Sequence, residues 1–489
     1  LSLTHWAEIW QFQIAQLRRL DKLPEPKSHE DYHFMKDAIN RRLFLKQAGT
    51  AGLGLSVAGY FGSSADTLAQ TPAAMRRTLG PNDKITAAVI GTNGRGLAHV
   101  DCLLALKGVE ISHICDVDDR AIAKGLRAAA KLQKTEAKGT KDFRKLLEDK
   151  TIDAVTIATP DHWHAPMAIL ALQAGKHVYV EKPCSHNPRE GELLVEAAAK
   201  TKFLCQMGSQ RRSFPNTQAA VQAIRDGMIG KAYLGRCWYV NDRKSIGHGK
   251  PAPVPEWLDY ELWQGPALRR PYMSNLIHYN WHWFWNYGTG EALNNGTHEV
   301  DVCRWALGLD FPSRVTSNGG RYAFQDDWET PDTQVISWDF AAGKTMTWEG
   351  HSCNKQPIEG LERGVVIYGT GGWALLEGDN CKIMDNSRKP LLQLNSGVVA
   401  DPTNTISATG ADMDTLHFKN FVDAIRLGTP LTAPVSEGHK SVAMLQLGNI
   451  AWRTGRALDL DSRNGHIQND AEAMKLWGRD YAPGWEPKV

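Results

Sequence analysis

Ile85-Thr-Ala-Ala-Val-Ile90 runs straight into Gly91-Thr-Asn93-Gly94-Arg95-Gly96 and then into Leu97 to Leu106, whose apolar residues recur at helical spacing. Six apolar and small residues read as a buried strand, the glycines as a tight loop, and Leu97 to Leu106 as a helix. Strand, glycine loop and helix in that order make a phosphate cradle, because backbone N–H groups and the positive end of the helix dipole favour negative charge there. The loop departs from G-x-G-x-x-G at its middle position, where Asn93 stands and Gly94 follows one place later. Amides from Asn93 to Gly96 still face a pyrophosphate, and Arg95 is expected to add a phosphate contact. The next strand, Val109 to Cys115, ends in Asp116. A carboxylate at that place accepts hydrogen bonds from an adenosine ribose and repels a 2′-phosphate. NAD is therefore the expected cofactor and NADP the less favoured one, Arg120 being the nearby residue that speaks for NADP.

Outward from this unit the alternation continues. An Ala/Lys-rich helical stretch leads to a strand from Ala154 to Ala158, a helix from Ala165 to Ala174, and a strand that ends at Glu181. A helix from Arg189 to Lys200 and a strand from Phe203 to Met207 come next. Repeated β and α units of this length predict an α/β domain, a Rossmann doubly wound parallel sheet, over residues 85–209. Beyond Gln210 the chain changes to alternating, Trp-rich strands broken by Gly and Pro. Gln334 to Phe340 and Thr345 to Glu349, joined by Ala341-Ala-Gly-Lys344, read as an antiparallel hairpin. Residues 210–489 are thus expected to form a second, α+β domain on a largely antiparallel sheet. Two late amphipathic helices, one carrying Phe418, Phe421, Val422 and Ile425 and the other Val442, Leu445 and Ile450, are expected to cover that sheet. Its other face, left exposed, predicts self-association into a homo-oligomer.

Composition agrees with a soluble two-domain protein: 489 residues, 42% hydrophobic and 22% charged. Lys and Arg number 56 against 54 acidic residues, which leaves no basic stripe of the kind that binds nucleic acid. Small molecules are the expected partners. The eight cysteines fall without C-x-x-C pairing, against both a structural zinc and a disulfide framework. His162 and His164 have ligand spacing but no third ligand nearby, and no metal is expected.

Residues 1–84 read as leader and linker. Asn40-Arg41-Arg42-Leu-Phe44-Leu-Lys46, followed by a Gly/Ala-rich apolar run from Gln47 to Gly62, has the layout of a twin-arginine export signal. That run is too short and glycine-rich for a stable membrane span, and Thr67-Leu68-Ala69 offers small residues for cleavage. A periplasmic location is expected, with Met35 as the expected true start and residues 1–34 as a mis-assigned one.

Chemistry enters at Glu181-Lys182-Pro183, at the carboxyl end of a strand, where an open α/β sheet presents its ligands. An amine there reaches a substrate hydroxyl lying over a nicotinamide. Three further segments join it in order: Gly91 to Gly96; Ala158-Thr159-Pro160-Asp161-His162-Trp163-His164; and Asn294-Asn-Gly-Thr-His298-Glu-Val-Asp301. Together these resemble the hallmarks of the glucose-fructose oxidoreductase, inositol dehydrogenase and MocA family, namely its cofactor loop, T-P-x-x-x-H, E-K-P and D-x-G-x-H-x-x-D segments. The resemblance covers nearly everything after the leader and implies an NAD-dependent oxidoreductase acting on a sugar, polyol or glycoside hydroxyl. It implies Lys182, Asn294 and His298 as the catalytic group around the carbon that loses hydride. Position 294 departs from the family's aspartate, and Asn cannot take a proton, so His298 becomes the expected general base and Lys182 the hydroxyl's polarising partner. Pro160 is expected to back the nicotinamide. Asp161, Trp163, His164, Glu181 and Gln210 are expected in the cofactor shell.

Tyr279-Asn-Trp281-His282-Trp283-Phe-Trp285 packs five large rings into seven residues. Tyr279 and Trp281 are candidates for stacking on a sugar face, and Gln210, Arg211, His278 and His282 for bonding its hydroxyls. An exported enzyme meets no nicotinamide pool, so its cofactor is expected to be tightly bound and recycled within each turnover. That favours redox-neutral chemistry, and an NAD-dependent glycosidase working by transient oxidation and elimination stands as the alternative. A carbohydrate or nucleotide sensor without catalysis is the remaining one, suggested by Asn294.

Overall fold

The computed structural model describes residues 83–396 and 411–489. The twin-arginine segment, its cleavage site and the Met35 start lie outside the described residues.

Six strands build the first sheet: β1 (Ile85–Ile90), β2 (Val109–Cys115), β3 (Lys138–Thr140), β4 (Ala154–Ile157), β5 (His177–Val180) and β6 (Cys205–Met207). Their order is β3-β2-β1-β4-β5-β6, and every pairing is parallel. The run reverses direction between β1 and β4, and the loops after those two strands therefore part to leave a crevice at the carboxyl edge. Strands buried on both faces need continuous apolar side chains. β1 supplies them, with Ala87, Ala88, Val89 and Ile90 all buried. The helix over Asp161–Gln173 begins four residues earlier than its apolar periodicity suggests, because Pro160 sits at its N-cap with extended backbone and Asp161 opens the first turn.

The second sheet has nine strands: β7 (Ala232–Val240), β8 (Arg314–Gly320), β9 (Thr333–Phe340), β10 (Lys344–His351), β11 (Arg363–Gly369), β12 (Gly372–Glu377), β13 (Asn380–Asp385), β14 (Pro390–Leu394) and β15 (Leu458–Asp459). They lie in the order β14-β13-β12-β11-β7-β10-β9-β8-β15, with β7 and β10 parallel and the other pairings antiparallel. The expected hairpin is β9 and β10, paired with Met346 opposite Trp338. Alternation along β9 buries Ile336, Trp338 and Phe340 on one face and exposes Val335 and Asp339 on the other.

Helix Val435–Thr454 covers the buried face as expected: Val442, Leu445 and Ile450 share a core with Ile336 and Trp338, whose indole N–H donates to Met444 O at 2.9 Å. The other late helix, Ala411–Leu427, goes elsewhere. Phe418 stacks on Tyr179 of β5 with centroids 4.2 Å apart, and Phe418 and Phe421 join Val89, Ile111 and Tyr179 in the core of the first sheet. A parallel sheet needs helices on both faces, and this late segment fills a place that the earlier helices leave open. Amphipathic spacing shows that a helix has an apolar face, not which sheet receives it.

Candidate active site

A cavity of about 410 Å³ opens at the carboxyl edge of the first sheet and extends against the second domain. That is enough for a small ligand to be largely enclosed. Its floor at one end is the glycine loop. Gly91 has φ of +86°, and a Cβ on it would lie 2.6 Å from Ala158 O. A Cβ on Gly96 would lie 1.8 Å from Gly91 O, so this glycine sits beneath the loop and lets helix Arg95–Leu104 start close against the strand. No side chain caps that helix, which leaves its first amides available to a phosphate. Asp116, at the end of β2, accepts from Thr92 N at 2.7 Å and from Asp118 N at 3.1 Å and lines the cavity beyond the loop. Arg120 is turned away: it pairs with Asp118 and lies 3.3 Å over the Trp257 ring, while Lys141, paired with Asp119, lines the cavity. His278, from the second domain, reaches the same Asp118 with Nε2 at 2.7 Å and pins the two domains together beside the ribose end.

Arg95 lines the cavity beside the glycine loop. Its Nε donates to Glu181 Oε1 at 2.8 Å and its Nη1 to Asp414 Oδ2 at 2.6 Å, so two carboxylates fix the guanidinium against the helix Ala411–Leu427. The reason is electrostatic: Glu181 is almost fully buried and needs a compensating charge, and Arg95 is the cation in reach. Burial opposes ionisation of Glu181. Arg95, together with the bond from His99 Nε2 at 3.1 Å, more than offsets this and holds its carboxyl well below the usual range. Gln210 Nε2 adds a third donor at 3.1 Å. Glu181 therefore organises the cavity wall, and its oxygens are spoken for.

The residue after it is free to act. Lys182 Nζ donates to Asn294 O at 2.6 Å and lies 3.5 Å from Asn294 Oδ1. Burial, with Arg95 and Arg363 nearby, lowers its pKa from the ordinary lysine value. Asn294 closes the short helix Gly290–Asn294 and is held by Glu291 Oε1, to which its Nδ2 donates at 3.2 Å. His298 stands in the first turn of the next helix, Gly296–Leu307, and its ring lines the same cavity. Burial, followed by the charges of Lys182, Arg363 and Arg211, pushes the His298 pKa well below 6.5. The amine and the imidazole, brought from different domains, meet in one place.

The T-P-x-x-x-H segment forms the adjoining wall. Pro160, Asp161, Trp163 and His164 all line the cavity. Asp161 accepts from Thr289 Oγ1 at 2.5 Å, and burial pushes its carboxyl up. His164 bridges Pro183 O at 2.6 Å and Thr159 O at 2.7 Å, tying the loop after β4 to the Glu-Lys-Pro turn. Trp163 donates to Trp263 O at 3.0 Å, so its ring is a wall rather than a bonding partner for ligand. His162 lies behind it with its nitrogens on Tyr287 O and Trp263 O.

The aromatic run divides. Tyr279, 39% exposed, and Trp281 and His282, both nearly buried, line the cavity, with Trp281 stacked on His282 at 3.6 Å between centroids. Tyr279 OH accepts from Arg243 Nη1 at 2.8 Å. Trp283 belongs to the core, stacked on Trp328 at 3.9 Å, and Trp285 pairs with Trp452. Asn93, Gly94, Gln210 and Arg211 also line the cavity. Sequence reading missed Arg363 at the start of β11 and Asp414 on the late helix. Neither belongs to a local pattern, and only the fold brings them in.

Residues 85–209 match the family model described as the oxidoreductase family's NAD-binding Rossmann fold, and residues 237–486 match that of its C-terminal alpha/beta domain. The chain belongs to the Gfo/Idh/MocA oxidoreductase family. Its similarity to an alpha-N-acetylgalactosaminidase of Shewanella oneidensis is 30% identity over 457 residues, 87% of this chain and 90% of that protein. A glycosyl hydrolase family 109 protein of Saccharopolyspora erythraea is 29% identical over 227 residues, 45% of this chain and about half of that protein's length (50%). Among solved structures, levoglucosan dehydrogenase in complex with NADH and levoglucosan superposes with a TM-score of 0.60 at 20% identity, over 77% of this chain and 99% of that one. The fold of this Gfo/Idh/MocA enzyme is thus shared over 77% of its chain. Its cofactor is NAD, and the glycine loop, the uncapped helix start and Asp116 fit that molecule.

Proposed function

We propose that this enzyme acts on a ring hydroxyl of a sugar or glycoside by transient oxidation, with hydrolysis of a glycoside and no net redox change as the outcome. The observation that carries the sugar-oxidising part is the convergence of Lys182 and His298 in one cavity beside the glycine loop. The hydrolytic outcome is supported by similarity along most of the chain to an alpha-N-acetylgalactosaminidase. When bound, NAD would supply a reversible hydride acceptor, and a sugar carbon held oxidised even briefly makes the neighbouring C–H acidic, so that its proton passes to a base as the glycosidic oxygen leaves, water adds to the double bond that results, and the hydride returns to the carbonyl carbon. His298, kept neutral by its surroundings, accepts the hydroxyl proton at a ring nitrogen and later returns it. Lys182, anchored by Asn294 O, donates an N–H to the same oxygen and orients the carbinol. Asn294 positions the lysine and takes no proton. Trp163, Trp281 and Tyr279 shape the walls and exclude water from the reacting face. The export expected from Arg41-Arg42 suits such a cycle, since it consumes no cofactor.

Purified protein, given chromogenic glycosides and no added cofactor, is expected to release aglycone while reduced-nicotinamide absorbance stays flat between turnovers. Product formed in deuterated water is expected to carry deuterium at the carbon next to the oxidised one. Accumulating reduced cofactor with a keto-sugar product would make the enzyme a dehydrogenase. Ligand binding with no reaction in either assay would overturn the proposal.

A further inference from the structure

Two arginines crowd one carboxylate at the substrate end of the cavity. Arg211 comes from the turn Gln210–Ser213, Arg363 opens β11, and both line the cavity although they are only 8% and 6% exposed. Between them lies Glu299, the residue after His298, buried completely. Arg363 Nε takes Glu299 Oε1 at 2.9 Å, and Arg211 Nη2 approaches the same oxygen at 3.2 Å. Among the described residues Glu299 is the one carboxylate within ion-pair distance of the Arg211 guanidinium, and Glu377 attracts it from farther off. Arg363 Nη2 is buried without a hydrogen-bond partner, and so is the second oxygen of Glu299, Oε2. One carboxylate oxygen thus serves two guanidinium groups, while Lys182, close by, is bonded only to the neutral Asn294.

Glu377 attracts Arg211 without an ion pair to it among the described residues, and Asp379 is engaged by Thr217 N at 2.9 Å; burial raises the pKa of both carboxyls. Burying guanidinium donors without acceptors is costly, and folds retain such groups where a ligand completes them. A planar fork with free N–H groups matches a carboxylate better than it matches scattered hydroxyls.

We propose that the sugar bound here carries a carboxylate, as a hexuronic acid or its glycoside does, and that Arg211 with Arg363 receives it beside the Lys182 and His298 pair. The inference rests on the sugar-oxidising reading but is tested apart from it. The carboxylate would lie on the reacting ring itself, because both arginines line the same cavity as Lys182 and His298 and both hold Glu299, the residue that follows His298.

The experiment is calorimetric binding to the NAD-loaded enzyme of galacturonic and glucuronic acids beside galactose and glucose, together with turnover of the matching chromogenic glycosides. Uronates are expected to bind at least about tenfold tighter than the neutral sugars. Arg211→Met is expected to erase that preference and Arg211→Lys to restore part of it, with NAD retention reporting that each variant is folded. Arg363→Lys, read the same way, covers the case in which Arg211→Met does not fold. Equal affinity for uronates and neutral sugars overturns the carboxylate site even if both are turned over. A uronate preference without turnover keeps the site and overturns the reaction instead.

Discussion

A histidine that serves as a base must be neutral when the substrate arrives, and His298 is kept so by burial and by Lys182, Arg363 and Arg211 around it. Activity needs the unprotonated ring, which is present above the His298 pKa and lost as pH falls through it. The acid limb of kcat/KM is therefore expected below pH 6.5, the ordinary histidine value. Lys182 works in its charged form, and its lowered pKa places the alkaline limb below 10.5. A pH profile of the wild type checks both limbs, and Lys182→Met should remove the alkaline one. His298→Ala is expected to lower kcat by about 10²–10⁴ while NAD stays bound, and a rate near normal would remove His298 from the chemistry. Gly91→Ala should act on the cofactor instead, because its φ of +86° and the 2.6 Å approach to Ala158 O leave no room for a methyl group. The expected result is protein purified without NAD, seen in its absorbance. At this scale the sequence was highly legible: Lys182, Asn294, His298 and the 158–164 segment lie in ordered local patterns. The carboxylates that hold Arg95, Glu181 and Asp414, were not legible, because they are 86 and 319 positions away.

Among the elements, helix Ala411–Leu427 shows what periodicity conceals. Its apolar face was readable, yet the surface it meets is Tyr179 and the first sheet, over 200 residues back along the chain. Phe418→Ala is expected to cost about 3–5 kcal/mol, measured as a shift of the urea midpoint, because a fully buried ring leaves a cavity between helix and sheet. NAD release should quicken in the same variant, since Asp414 on that helix braces Arg95 beside the glycine loop. The β9–β10 hairpin was legible for the opposite reason: its turn and its alternation are local, so the partners are adjacent in sequence. β3, three residues long at the sheet edge, carries too little pattern to be read at all.

The molecule as a whole carries an acid sensitivity. Burial lowers the pKa values of His162 and His282 to about 3 and those of His177, His417 and His439 to about 4, from 6.5 in the unfolded chain. Each folded value lies below the unfolded one, so the contribution to stability is complete above pH 6.5 and is lost as pH falls through the folded values. Glu437, lowered to about 2 as Arg304 and Lys440 outweigh its burial, adds a similar loss between 4.5 and 2. Denaturation midpoints measured from pH 7 down to 5 should fall steadily, and a flat series would show these rings protonated in the folded state.

Helix Ala411–Leu427 and the carboxyl-terminal tail, where Arg479 pairs with Glu190 at 2.7 Å and Lys488 O accepts from Gln173 at 2.7 Å, both come back to the nucleotide-binding half. That half is therefore unfinished when residue 209 has been made: Val89, Ile111 and Tyr179 still lack the rings that seal them. Anyone excising residues 83–209 as a stand-alone cofactor module would liberate a sticky fragment, and ribosomal synthesis must reach the last helices before the first sheet is dry.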